Sequence, residues 1–184
     1  MDLREKIKNY IPYDLQEEKD KEQMLNFIDS FEDVLTRNNL FGHFSASAFV
    51  INKEKTKMLV VYHIINDGWI YPGGHADGEY DLLSVAVREV FEETGLKVKV
   101  LDNDIYAIQS GPVKGHIKHG KYVSAHTHFD ILYLMEADDM IPLTYREDES
   151  KGVKWIPFRD ADDKTIVDFI RPIHKKLIKK LNNR

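Results

Sequence analysis

Apolar residues recur at helical spacing near both ends of the chain. The segment 15–37 is charged, lacks Pro and Gly, and places an apolar residue every three or four positions, which predicts an amphipathic helix. Residues 171–184 show the same period, with lysines on the remaining faces. We expect helical segments here, broken at Pro172, that dock through their apolar side and leave the lysines in solvent.

The middle of the chain has the pattern of strands. Apolar runs at 45–51 and 57–63, separated by the polar turn 52–56, predict a hairpin. A helix is expected from Leu82 to Thr94, with Asp81 as its N-cap and Gly95 at its end. Further strands are expected at 97–101 continuing through 105–109, at 122–135 and at 152–157, with a loop rich in Gly, Lys and His at 110–121.

This order of elements predicts an α/β (α+β) fold, in which helices pack on a mixed sheet. The composition changes near residue 41 from charged helix to alternating strand. We therefore expect an N-terminal helical extension over residues 1–40 and one main domain over residues 41–184. The apolar positions of the extension fit packing on its own domain or on a second copy in a homodimer.

Composition and charge narrow the classes of function. The chain has 184 residues, 42% of them hydrophobic, and no cysteine, which excludes disulfides, thiolate metal sites and cysteine nucleophiles. Residues 41–170 hold 21 acidic and 14 basic side chains. This excess of negative charge disfavours binding of nucleic acid, because its phosphates are negatively charged as well. No segment is apolar enough to span a bilayer. We expect no membrane partner, no stable nucleic-acid partner and, by default, a cytoplasmic location.

Three carboxylates in the predicted helix carry the candidate chemistry. Glu89, Glu92 and Glu93 stand at i, i+3 and i+4, so all three project from one helical face, where like charges repel each other. Mg²⁺ or Mn²⁺ would resolve this repulsion, because hard cations take oxygen ligands and are often shared between carboxylates and substrate phosphates. Gly73 and Gly74 precede the helix and allow the backbone to approach a metal or phosphate closely.

The segment from Gly74 to Leu96 closely resembles the signature of the Nudix hydrolases. That pattern is Gly, five residues, Glu, seven residues, then Arg-Glu-apolar-x-Glu-Glu-x-Gly-apolar. The resemblance implies a Nudix-type α/β/α sandwich and a small-molecule substrate, with hydrolysis of a diphosphate bond in a nucleoside diphosphate derivative such as ADP-ribose, a nucleotide sugar or a nucleoside triphosphate. It also implies metal ligation by Glu89, Glu92, Glu93 and the carbonyl group of Gly73.

One position departs from the signature. Tyr80 stands where the family has its first glutamate, which mainly braces the motif through the arginine, here Arg88. Glu79 or Asp81 would replace it after a one-residue change in the loop. The alternative is a nucleotide-sensing Nudix domain that has lost catalysis.

The resemblance leaves the catalytic base open between a motif glutamate and a carboxylate from a later loop. The candidates are Glu89 and the acidic cluster 147–149, in which we favour Glu149. This cluster also fits a solvated acidic turn. Together with Arg88 and Glu93, these residues form the predicted catalytic set.

Four further side chains are candidate substrate contacts. His126 and His128 alternate with Asp130 on one face of a predicted strand, a pattern that also fits a metal site or plain packing. Tyr71 lies next to the glycine pair and fits either base stacking or core packing. Lys114 belongs to the basic loop 110–121. We expect this loop to face either the polyphosphate group of a substrate or the solvent.

Overall fold

The computed structural model describes residues 2–118, 120–147 and 150–183. The strands are β1 (Gly42–Asn52), β2 (Lys57–His63), β3 (Gly68–Ile70), β4 (Gly73–His75), β5 (Lys99–Val100), β6 (Ala107–Val113), β7 (His116–Lys118), β8 (Lys121–Val123), β9 (His126–Ala137) and β10 (Ser150–Pro157). Eight of them form a mixed sheet in which β10, β2, β1, β9 and β5 are neighbours in that order. Three strands branch from this path, because β3 pairs with β2, β4 with β1 and β6 with β9. The pairing of β1 with β9 is parallel and the other pairings are antiparallel.

Two helices precede the first strand, one lies between β4 and β5, and the last follows β10. The helices are α1 (Leu3–Asn9), α2 (Leu15–Ser30), α3 (Leu82–Thr94) and α4 (Arg171–Asn182), with a 3₁₀ turn at Phe158–Asp160. None of the described helices combines the length and the apolar character needed to cross a bilayer.

Both faces of the sheet are covered, which makes the fold an α/β/α sandwich, as predicted. All eleven residues of β1 are buried, and their side chains alternate between two apolar clusters. Phe44, Ala46 and Val50 pack with α1, α2 and α3 on one face. Phe49 and Ile51 pack with α4 on the other.

The central helix and the hairpin agree with the sequence prediction. Helix α3 runs from Leu82 to Thr94, with the Asp81 side chain accepting a hydrogen bond from the Ser84 amide. Gly95 ends the helix in the left-handed conformation with φ 73°. Strands β1 and β2 pair across the predicted polar turn.

The helix predicted over residues 15–37 is shorter in the structure. Helix α2 ends at Ser30 rather than near residue 37, since the Asp33 carboxylate accepts hydrogen bonds from the amides of Leu35 and Thr36. A side chain that bonds nearby backbone amides in this way competes with helix formation. Beyond Ser30, Val34 and Leu35 still pack in the core, whereas Phe31 is exposed.

The prediction of a loop over residues 110–121 was wrong. Strand β6 continues to Val113, and β7 and β8 form a separate small hairpin in which Gly120 has φ 74°. Pro112 is tolerated in β6 because this strand pairs with β9 alone, so a missing amide donor breaks no ladder on its other side. The single strands predicted at 97–109 and 122–135 are likewise each divided into two.

The C-terminal helix also differs from its prediction. Pro172 lies in the first turn of α4, where its missing amide costs nothing, so it starts the helix instead of breaking it. The lysine face is not wholly solvated, because Lys176 is 8% exposed and pairs with the fully buried Glu17 of α2 at 3.0 Å. Glu17 also accepts hydrogen bonds from the Tyr10 hydroxyl at 2.6 Å and the Tyr13 amide at 2.8 Å.

This buried ion pair links both ends of the chain and should be important for stability. We expect Glu17→Ala to lower the free energy of unfolding by about 3–5 kcal/mol. It removes the nearer carboxylate from the buried Lys176 ammonium group, leaving Asp14 at 3.7 Å, and it removes the acceptor of the two tyrosine hydrogen bonds. Glu18→Ala, at the exposed neighbouring position, should change it by less than about 0.5 kcal/mol. Urea unfolding measures both, and equal effects of the two variants would contradict the proposed role.

Candidate active site

Helix α3 sits firmly on the sheet and presents its acidic residues at one edge. Leu82, Val85, Ala86 and Val90 are buried in the cluster that also contains Phe44. Glu89 and Glu93 face β4, with the Glu89 side chain 17% exposed and Glu93 5% exposed, whereas the Glu92 side chain is 41% exposed. The packing of the apolar face therefore determines where the carboxylates lie.

The glycine pair of β4 holds two of these carboxylates in place. The Gly73 amide donates a hydrogen bond to the Glu93 carboxylate at 2.9 Å. A Cβ atom on Gly74 would lie 2.3 Å from the carboxyl carbon of Glu89, so only glycine leaves room for this side chain. Gly73 and Gly74 of β4 thus form one oxygen-rich site with Glu89 and Glu93 of α3, which we call the carboxylate corner.

Arg88 connects the carboxylates of the motif. Its guanidinium group pairs with Glu79, lies 3.6 Å from Glu89 and lies 3.9 Å from Glu92. The ion pair with Glu79 raises the pKa of Arg88 further. Of the two candidates for the displaced glutamate, Glu79 contacts the arginine, whereas Asp81 caps the helix.

The tyrosine at the usual glutamate position takes no part in this network. Tyr80 is 78% exposed, and Asp77 and Gly78 just before it both have positive φ values, 47° and 91°. This turn moves the bracing carboxylate one position earlier in the sequence.

The donor set of the corner fits a hard divalent cation. It offers carboxylates and a close backbone, which suit Mg²⁺, an ion that keeps several waters and needs only one or two carboxylates. The carboxylates of Glu89, Glu92 and Glu93 do not form a compact cage of three oxygens in the described chain. Glu92 also pairs with Arg146 at 3.6 Å.

The other predicted site residues lie in different surroundings. Lys114 is exposed between β6 and β7, and its carbonyl oxygen lies 2.9 Å from Nδ1 of His116. Tyr71 is 5% exposed and its hydroxyl donates to Gln109 at 2.7 Å, which favours core packing over stacking on a base. Glu149, the favoured base, lies outside the described residues, whereas Glu147 is described and exposed.

His126 and His128 lie beside His43 and His75, two histidines that were not among the predicted site residues. Their Nε2 atoms lie 3.3 Å apart, and His43 of β1 and His75 of β4 have ring centres 4.8 Å from that of His128. Burial lowers the pKa of His43 to about 4, with the charge of His126 as a second cause. The ring of His43 is therefore neutral near pH 7.

Asp130, the third residue of the predicted histidine face, has a different environment. Its carboxylate accepts hydrogen bonds from the hydroxyl groups of Ser45 at 2.9 Å and Ser47 at 2.8 Å. Burial raises its pKa, which the two serines and Tyr71 oppose. Asp130 is thus a buried polar link between β1 and β9.

His43 and His75 were missed because each stands alone in its own segment. The signal in hindsight is the alternation of polar residues on one side of β1, at His43, Ser45 and Ser47, within an otherwise apolar strand. That alternation becomes informative only when the parallel partner β9 is known.

Comparison with known proteins agrees with this geometry. The family model of the NUDIX domain matches residues 42–180. The chain belongs to the Nudix family of hydrolases. An RNA pyrophosphohydrolase of Pelagibacter ubique is 30% identical over 138 residues, which cover 72% of this chain and 86% of that protein. Diphosphoinositol polyphosphate phosphohydrolase 3-beta of Bos taurus is 28% identical over 133 residues, covering 72% of this chain and 73% of that protein.

Solved Nudix structures share the fold at low identity. A hydrolase of the NUDIX family from Clostridium perfringens aligns with a TM-score of 0.56 and 21% identity, over 76% of this chain and 97% of that one. A MutT protein from Methanosarcina mazei Go1 aligns with a TM-score of 0.58 and 16% identity, over 78% and 97% of the two chains. The predicted family and fold class are both confirmed.

The role of Glu79 can be tested by a double-mutant cycle. We expect a coupling of about 0.2–1 kcal/mol between Glu79 and Arg88, the usual range for an exposed ion pair. Asp81 and Arg88 should show no coupling, although Asp81→Ala alone should cost about 0.5–2 kcal/mol through the lost helix cap. Urea unfolding of the single and double variants measures both terms, and coupling through Asp81 alone would show that the assignment is wrong.

Proposed function

We propose that this Nudix hydrolase cleaves a diphosphate bond in a nucleoside diphosphate derivative such as ADP-ribose, a nucleotide sugar or a nucleoside triphosphate, with Mg²⁺ or Mn²⁺ as cofactor. The corner formed by Gly73, Gly74, Glu89 and Glu93 carries this proposal. A divalent cation bound there would neutralise phosphate charge and make a bound water more acidic. The ligand set we propose is Glu89, Glu92, Glu93 and the carbonyl group of Gly73.

The residues around the corner support distinct roles. Glu93 is held by the Gly73 amide, so its carboxylate is oriented before any ligand arrives. Glu89 is confined between Gly74 and Arg88, and its side chain is 17% exposed. We propose it as a ligand and a candidate base, with Glu149 as the alternative base.

Lys114 is proposed as a phosphate contact, because it is a solvent-exposed cation in a body that is otherwise acidic. The substrate contact predicted for His126 and His128 stays a prediction, and their approach to two further histidines supports a metal-ligating role instead. A cytoplasmic location and a homodimer likewise stay predictions.

The nucleotide-sensing alternative loses its main motivation. It rested on the tyrosine at position 80, but Glu79 supplies the ion pair to Arg88 that the shifted glutamate would otherwise make. The acidic balance of residues 41–170 also favours a small nucleotide over a long RNA, even though two relatives are named RNA pyrophosphohydrolases.

A substrate panel with Mg²⁺ tests the proposal. It includes ADP-ribose, a nucleotide sugar, nucleoside triphosphates, a dinucleoside polyphosphate and a 5′-triphosphorylated RNA oligonucleotide, with release of phosphate or nucleotide as the readout. We expect Glu93→Gln to lower turnover by about two orders of magnitude or more, because it removes a ligand charge but keeps an oxygen that accepts from Gly73.

Glu32→Gln, an exposed change outside the site, is the matched control and should retain full activity. Circular dichroism should show that both variants are folded. Absence of turnover of every compound by the wild-type chain, or equal activity of Glu93→Gln and wild type, would overturn the proposed chemistry.

A further inference from the structure

Four histidines from three strands converge on the face of the sheet opposite α3. His43 comes from β1, His75 from β4, and His126 and His128 from β9. The candidate ligand atoms of His43, His75 and His128 all lie within 4.8 Å of one another. The ring centre of His126 is 4.9 Å from that of His43 and 5.1 Å from that of His128.

The register of the sheet brings them together. His43 and His128 are direct partners in the parallel pair of β1 and β9, and Ser45 is the partner of His75 in the pair of β1 and β4. Successive side chains of a strand point to opposite faces. The open side of Gly74 faces Glu89, so His75 lies on the other face of β4 and the histidines are separate from the carboxylates of α3.

His43 is the buried histidine of this cluster, and the residue is 3% exposed. Neither of its ring nitrogens makes a hydrogen bond of normal geometry within the described chain, although the backbone of Asn39 is close enough to raise its pKa. Burying a polar group without a good partner costs free energy. A neutral imidazole carries a proton on one nitrogen and a lone pair on the other, so a ligand that accepts this lone pair would give the second nitrogen a partner.

His126 has the arrangement of a metal ligand. Its Nδ1 lies 2.8 Å from the Ser124 carbonyl oxygen, which can only accept, so Nδ1 carries the proton and Nε2 offers a lone pair. Ligating histidines commonly donate their other N–H to a carbonyl in this way. The 3.3 Å between the Nε2 atoms of His126 and His128 is close to the roughly 3.4 Å that separates two nitrogens bound tetrahedrally to zinc at about 2.0–2.1 Å.

We propose that His43, His75 and His128, with His126 as the fourth ligand, bind one borderline transition-metal ion of the Zn²⁺ class at a site separate from the carboxylate corner. Imidazole nitrogen suits zinc, cobalt, nickel and copper better than it suits Mg²⁺.

The bound ion would link β1, β4 and β9. Strand β4 has only three residues, and two of them, Gly73 and Gly74, hold Glu93 and Glu89. Fixing His75 therefore fixes the strand that positions the carboxylates. The site joins the two faces of the sheet through one short strand.

Cobalt titration tests the site independently of hydrolysis. The tag-free full chain is treated with a chelator, dialysed and titrated with Co²⁺, whose visible absorption is strong in tetrahedral nitrogen coordination and weak in octahedral oxygen coordination. We expect one equivalent of Co²⁺ with strong absorption that Zn²⁺ displaces. Zinc at a hundredfold excess over its Kd should raise the melting temperature by about 5–10 °C.

Matched variants separate the two sites. Changing a residue that merely orients a metal ligand costs about 10–100-fold in affinity, so His128→Gln should weaken Co²⁺ binding by about 100-fold or more, with His126→Gln as a second variant near the surface. His116→Gln, outside the cluster, and Glu93→Gln, in the carboxylate corner, should bind Co²⁺ as wild type does. Circular dichroism checks that each variant is folded.

Three results would overturn the proposal. One is a wild-type chain that gives no strong Co²⁺ absorption. Another is unchanged Co²⁺ affinity in folded His128→Gln and His126→Gln. The third is thermal stabilisation by inorganic phosphate and none by Zn²⁺, which would make the cluster an anion site.

Discussion

The parallel pairing of β1 with β9 is the constraint on which the rest of the structure depends. It runs in unbroken register from Gly42 opposite Thr127 to Asn52 opposite Ala137. Apolar side chains of both strands anchor helices on each face, and at one end the same register places His43 beside His128 and Ser45 beside Asp130. A shift of one residue would exchange the faces and disperse both the core and the polar residues.

The short strand β4 connects the register of β1 to the carboxylates of the candidate active site. It pairs with the polar half of β1, where the open side of Gly73 faces Ser47. The Gly73 amide bonds Glu93 of α3, and Gly74 leaves space for Glu89. Arg88 forms ion pairs with Glu79 and Glu89 beside the same corner. The N-terminal and C-terminal helices complete the sandwich through the buried pair of Glu17 and Lys176.

Local patterns predicted the parts of this structure that depend on local physics. The helix from Leu82 to Thr94, its caps and its acidic face follow from spacing alone, and the Nudix resemblance supplied the family. The end of α2 at Ser30 depended on the hydrogen bonds of Asp33, and the histidine cluster on pairing between strands 85 residues apart in sequence, His43 and His128. Neither the long-range register nor the choice between Glu79 and Asp81 is contained in a local pattern.

The most direct test of the central claim is anomalous scattering from crystals of the full chain soaked with Mn²⁺. We expect a manganese peak within coordination distance of the Glu89 and Glu93 carboxylates, next to the backbone of Gly73. Crystals of Glu93→Gln should show a weaker peak there. A peak at the histidines with none beside α3, or no ordered manganese at all in wild-type crystals, would contradict the assignment of the carboxylate corner as the catalytic metal site.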